Sequence, residues 1–137
     1  MDPDLWNIFH DGSIETIVGS VPGIVRLSVA IVYLREMLPG EGTGFKVVLS
    51  GCTEFSHAEF DRPSITDLSA IAALEPEILS AESSSPLKIT CGTGTLTLQY
   101  QTASVYLDSG APVTMEELGA ACNAYWDAWS KRARADS

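Results

Sequence analysis

The chain has 137 residues, 45% of them hydrophobic and 19% charged, which is the length of one domain and enough for a core burying roughly 68% of the unfolded surface without disulfides or metal. That composition excludes generic disorder, a collagen-like repeat and a disulfide scaffold. Eighteen acidic residues against eight basic ones give a net charge of −10, which argues against a nucleic-acid binder, since phosphate contacts need clustered Lys and Arg, and against an anionic membrane surface.

The first element reads as a hairpin. Leu5 to His10 and Ser13 to Ser20 flank Asp11-Gly12, a pair that tolerates the positive φ values of a type I′ turn. Pro22-Gly23 supplies the next turn, and Val25, Leu27, Val29, Ile31 and Tyr33 then alternate as the core face of a strand. The run from Pro39 to Gly44 is a loop. Phe45, Val47 and Leu49 resume the alternation, with Gly51 marking a bulge or bend and the strand pattern running on through Phe55 and Phe60.

Ser64 with Asp67 resembles a capping box, followed by Leu68, Ile71 and Ala72 at helical spacing until Pro76 closes the helix. Ile78-Leu79 fits a brief strand or a turn, and Ser80 to Pro86 a polar connection. Leu87, Ile89 and Cys91, then Leu96, Leu98 and Tyr100, mark two strands joined at Gly92-Thr93-Gly94. Val105 and Leu107 mark a last strand.

The final segment is the clearest. Thr114 and Glu117 form a capping box, and Met115, Leu118, Cys122, Tyr125 and Trp129 repeat at 3 and 4 spacing. Lys131, Arg132 and Arg134 sit where the macrodipole favours cations. The expected fold is therefore α+β: an antiparallel, hairpin-rich sheet packed against a long C-terminal helix, with one short additional helix, all in a single domain over residues 1–137.

Charge is unevenly spread. Residues 1–130 hold five basic and seventeen acidic side chains. Within 54–82, Glu54, Glu59, Asp61, Asp67, Glu75, Glu77 and Glu82 face Arg62 alone, a net of −6. Such a concentration can steer a basic partner at long range. Cys52, Cys91 and Cys122 are widely spaced and odd in number, which suits buried free thiols better than a zinc motif or disulfides. Met1-Asp2-Pro3-Asp4 lacks the basic start of a secretion signal, and Ile24 to Leu34 is too short to cross a bilayer. A cytoplasmic protein is expected.

Chemistry-bearing patterns are weak. His57, Glu59 and Asp61 alternate and would share one face of a strand; carboxylate and imidazole suit a metal, but a solvated edge strand explains them better. His10-Asp11 would diverge on a strand, so a polar turn flank is preferred to a proton-transfer pair. Cys52 or Cys91 as a nucleophile would need a base such as His57 beside it. Glu75 and Glu77 straddle Pro76 and read as exposed loop carboxylates. No catalytic residue, metal or cofactor is expected. Trp126 either anchors another protein or widens the buried face of the last helix.

Leu5 to Ile14, Leu49-Ser50-Gly51-Cys52-Thr53 and Tyr125-Trp126-Asp127 together resemble small uncharacterised bacterial domains. In size, acidity and α+β order the chain is similar to immunity proteins that neutralise polymorphic toxins. That resemblance implies a non-catalytic acidic domain binding a basic protein, such as a toxin nuclease domain, and carries over no site residues. The expected partner surface comprises Glu54, Glu59, Asp61, Glu75, Glu77 and Glu82. The alternative is a small-molecule binder or enzyme with a pocket between sheet and helix, bringing His57, Cys52 or a carboxylate together. A third reading is self-association through Trp126 and Trp129, with the oligomeric state left open.

Overall fold

The computed structural model describes residues 3–135, with side chains described as far as Arg132; Arg134, expected at the helix end, therefore lies outside the described side chains, as does Asp136. Among the described residues the fold is α+β, with nine strands in two antiparallel sheets and a long C-terminal helix. The chain opens with helix α1 (Asp4–Ile8), not a strand. Leu5, Trp6 and Phe9 are all buried, and their spacing of one and three places them on one helical face. Asp11 keeps the positive φ expected of it, at 69°, but there it turns the chain from α1 into β1 (Ser13–Gly19).

Strand β1 pairs with β2 (Gly23–Ala30), where Val25, Leu27 and Val29 are buried as their alternation requires. Short helix α2 (Val32–Arg35) follows, then β3 (Gly44–Cys52), which pairs with β2. Strand β4 (Glu54–Ala58) continues almost directly from β3 but belongs to the second sheet. After it come α3 (Leu68–Ala73), β5 (Ile78–Glu82), β6 (Leu87–Cys91), β7 (Gly94–Gln99), β8 (Thr102–Leu107), β9 (Pro112–Val113) and α4 (Met115–Ala135). The sheet orders are β1-β2-β3-β8-β9 and β4-β7-β6-β5.

Two chain segments cross from one sheet to the other side by side. The Thr53 N–H donates to Gln99 O at 2.8 Å, and the Gln101 N–H donates to Ser50 O at 2.9 Å. Gly51 supplies the bend with φ at 63°, as the sequence suggests. A corner built from strands that switch sheets lets both inner faces feed one core. That core is continuous from Leu5 and Trp6 through the strand residues to Leu118 and Ala121.

The helix caps form as hydrogen-bond chemistry requires. Asp67 itself caps α3, accepting from the Ser69 and Ala70 N–H groups at 3.0 and 3.2 Å. Ser64 stands too far upstream, before an isolated bridge at Ile65, to act as the box residue. For α4 the reciprocal box is complete: Glu117 N–H donates to Thr114 Oγ1 at 3.0 Å and Thr114 N–H donates to Glu117 Oε1 at 3.1 Å. Helix α4 meets the body chiefly through α1 and α2. Leu118 and Ala121 are buried there, whereas Trp126 and Trp129, further along the same stripe, are exposed.

Candidate functional site

The strand registers decide which carboxylates meet. Ala58 faces Thr95, Cys91 faces Gly94, and Ile78 faces Cys91. The residues after β4, the β6–β7 turn at Gly92-Thr93 and the residues before β5 therefore emerge at one end of the four-stranded sheet. Glu59 and Asp61 lie on one side of that turn, Glu75 and Glu77 on the other. The two pairs flank a span of roughly 14 Å, three strand spacings. Gly92 N–H donates to Glu77 O at 3.0 Å, tying the far pair to the turn. Glu54 and Glu82 stand at the opposite end, facing Gln99 and Lys88 respectively.

Asp11 joins the carboxylate-rich end, since its N–H donates to Ile78 O at 2.8 Å and its side chain is exposed. Its sequence neighbours gave it a turn role alone. His10 Nε2 comes within 3.4 Å of Asp11 Oδ2, while His10 Nδ1 lies 2.7 Å from Leu79 O. The two side chains thus meet instead of diverging, because they leave a helix and not a strand.

The loop after β4 is built to project. His57 and Ile65 exchange backbone hydrogen bonds of 3.0 and 2.8 Å, closing its base. Within it, Arg62 N–H donates to Glu59 O at 3.2 Å, and Asp61 adopts a φ of 61°. This turn ends the strand pattern before Phe60, which is 92% exposed, instead of extending it to a buried Phe60. Arg62 Nε lies 3.7 Å from Glu59 Oε2 in an exposed pair, worth little by itself.

His57 is the other departure from the sequence reading. It is 1% exposed, on the same face of β4 as buried Phe55, and does not stand with Asp61 on a solvated face. Its Nε2 is 2.9 Å from Thr93 Oγ1, and among the described residues its Nδ1 has no hydrogen-bond partner. Burial holds the imidazole pKa below its usual value, with Glu59 pulling weakly the other way. Beside it lies a pocket of about 110 Å³ lined by His57, Glu59, Arg62, Pro63 and Ile65.

Cys52 and Cys91 are buried free thiols, as expected, whereas Cys122 is only half-buried. Burial raises the pKa of Cys52, and pushes that of Cys91 up to about 12. Cys52 Sγ contacts Glu54 O at 3.4 Å, and His57 Nε2 is engaged with Thr93. Among the described residues no group of three or more His, Cys, Asp or Glu converges on a metal position. A concavity of about 590 Å³ runs between α1 and α4 and includes Asp4, Asn7, Glu116 and Cys122 in its lining. It lies between helices, not between sheet and helix, and neither His57 nor Cys52 reaches it.

The class these features define is an acidic α+β domain with a carboxylate-rich sheet end. Comparison with protein-family models, with curated proteins and with solved structures gives no match. Among the described residues no helix is long and apolar enough to cross a membrane.

Proposed function

We propose that the protein is a non-catalytic acidic protein-binding domain that presents one end of its four-stranded sheet to a basic protein. The resemblance to immunity proteins supplies the partner class, a toxin domain such as a nuclease. The observation that carries the reading is the placement of Glu59 and Asp61 on one side of the β6–β7 turn and of Glu75 and Glu77 on the other, with Phe60 standing out between the first two. Carboxylates at such an end accelerate encounter with a cationic surface and disfavour acidic competitors. An exposed aromatic ring among them supplies the desolvated anchor that interfaces concentrate their energy on.

Occupying a partner's cleft requires no bond-making group. Glu54 and Glu82, at the opposite end, take a peripheral part. The test starts by capturing the partner from host lysate on the immobilised chain, followed by amide hydrogen exchange of the purified complex. Protection concentrated in 58–63 and 75–77 is the expected result. Protection confined to the α1–α4 groove or to the Trp126 and Trp129 region contradicts the proposal.

A further inference from the structure

We infer that the pocket beside His57 is a guanidinium site, filled by an arginine side chain of the basic partner; this rests on the acidic end being the partner surface. Two independent observations meet there. Glu59 lines the pocket, and the buried His57 has no hydrogen-bond partner for Nδ1 among the described residues. A buried polar atom without a partner carries a desolvation cost that an incoming N–H relieves.

The chemistry favours a planar cation. In the tautomer whose Nε2–H donates to Thr93 Oγ1, which is the one the proposal requires, Nδ1 offers a lone pair, and the Glu59 carboxylate offers two oxygens. A guanidinium presents five donors in one plane and is weakly hydrated, whereas an ammonium is a compact, strongly hydrated point charge. Pro63 and Ile65 supply apolar wall for the aliphatic stem. The 59–64 loop, closed at its base by the His57–Ile65 bridge, carries Glu59, Arg62 and Pro63 to the rim of the pocket.

Arg62 acts as the resident stand-in. Its Nε lies 3.7 Å from Glu59, a long contact, and its side chain is 75% exposed. A partner's arginine displaces it from Glu59 without leaving Arg62 buried or unsolvated.

The experiment titrates the full chain with N-ethylguanidinium at constant ionic strength and follows the ring nitrogens of both histidines by ¹⁵N NMR. His57 shifts saturably and His10 stays still. Glu59→Gln weakens binding about tenfold, as expected for losing one charge-assisted hydrogen bond; Arg62→Ala tightens it. Because Glu59 and Arg62 are surface-accessible, both variants keep the fold, which the unchanged His10 signal verifies. Drift shared by both histidines, equal binding of n-butylammonium, or indifference to Glu59→Gln overturns the assignment. If guanidinium binding fails while the captured partner still associates in a salt-dependent way, the pocket is refuted and the acidic-surface reading stands. If guanidinium binds but charge reversal leaves partner association unchanged, the acidic-surface reading fails instead.

Discussion

Arg35 does for the loop after α2 what a strand partner does elsewhere. It is 1% exposed, and its guanidinium donates to the carbonyls of Pro39 and Glu41 at 3.0 Å and to Asp108 Oδ1 at 3.0 Å. Asp108 in turn accepts from the Thr43 and Gly44 N–H groups at 2.8 and 3.2 Å. Partial burial alone would raise the Asp108 pKa. The Thr43 hydrogen bond, the Arg35 guanidinium and the Gly44 hydrogen bond outweigh it and hold the carboxyl below its ordinary value. Removing the carboxylate strands a buried cation, so Asp108→Ala costs about 3 kcal/mol in urea unfolding at neutral pH. Because the folded pKa is depressed, Asp108 contributes its stability above the unfolded carboxyl pKa of about 3.9 and loses it as pH falls through the folded value. The Asp108→Asn variant therefore shows a flatter loss of stability below that pH than the parent chain.

His57 gives a second acid limb at higher pH. Its folded pKa is lowered chiefly by burial, so acidification below about 6.5 protonates the unfolded chain first and draws the equilibrium toward it. Stability falls from that pH downward until the folded pKa is passed. His57→Gln removes this limb while leaving Asp108's in place, as chemical unfolding at successive pH values will report. A pH-stability curve with the same slope in both proteins between pH 6.5 and 5 contradicts the burial argument.

Helix α4 depends on its first turn, because toward its far end the cover thins to Tyr33, which stacks on Tyr125 and meets Trp126 edge-on. Trp126 and Trp129 are 42% and 52% exposed and pack edge-on to each other with centroids 6.0 Å apart. Thr114→Ala removes the side-chain half of the box at a cost of about 1 kcal/mol, seen as a lowered thermal midpoint and reduced helical ellipticity before it. That box was readable from residues 114–117 because a capping box is local chemistry. The alternations of β2, β3, β6 and β7 were readable for the same reason.

What failed to transmit was whatever depends on where a strand stops or what covers it. A short apolar run such as Leu5 to Phe9 suits either period; the Pro3-Asp4 start, favourable at a helix N-terminus, was the signal against a strand. Phe55 and His57 already share a face by alternation, so the burial of His57 was implied once Phe55 was assigned to the core. Taking Glu59 and Asp61 as its companions extended the strand past its turn. Arg35 carried no sequence signal, since the carbonyls and carboxylate that hold it come together only when residues 35–44 meet Asp108. The convergence of Glu59 and Asp61 with Glu75 and Glu77 was equally hidden, because it follows from the order β4-β7-β6-β5.

The molecule as a whole has polarity in its charge: seventeen acidic residues among the first 130, and a basic end on α4. Glu59, Asp61, Glu75 and Glu77, with Asp11 beside them, lie at the β6–β7 end of one sheet; their fields overlap across it at low salt, where screening acts over about 30 Å, and much less at physiological strength, where it acts over about 8–10 Å. Glu54 and Glu82 provide an internal control of equal chemistry at the other end. The decisive measurement is the association rate of the captured partner with three chains, followed by stopped flow from low to physiological salt. These are the parent, the Glu59→Lys, Asp61→Lys, Glu75→Lys, Glu77→Lys variant, and the Glu54→Lys, Glu82→Lys variant. Steered association predicts a rate about tenfold or more lower, with a much shallower salt slope, for the first variant and a smaller change for the second. Equal rates for all three chains, or a larger loss from reversing Glu54 and Glu82, contradict the account.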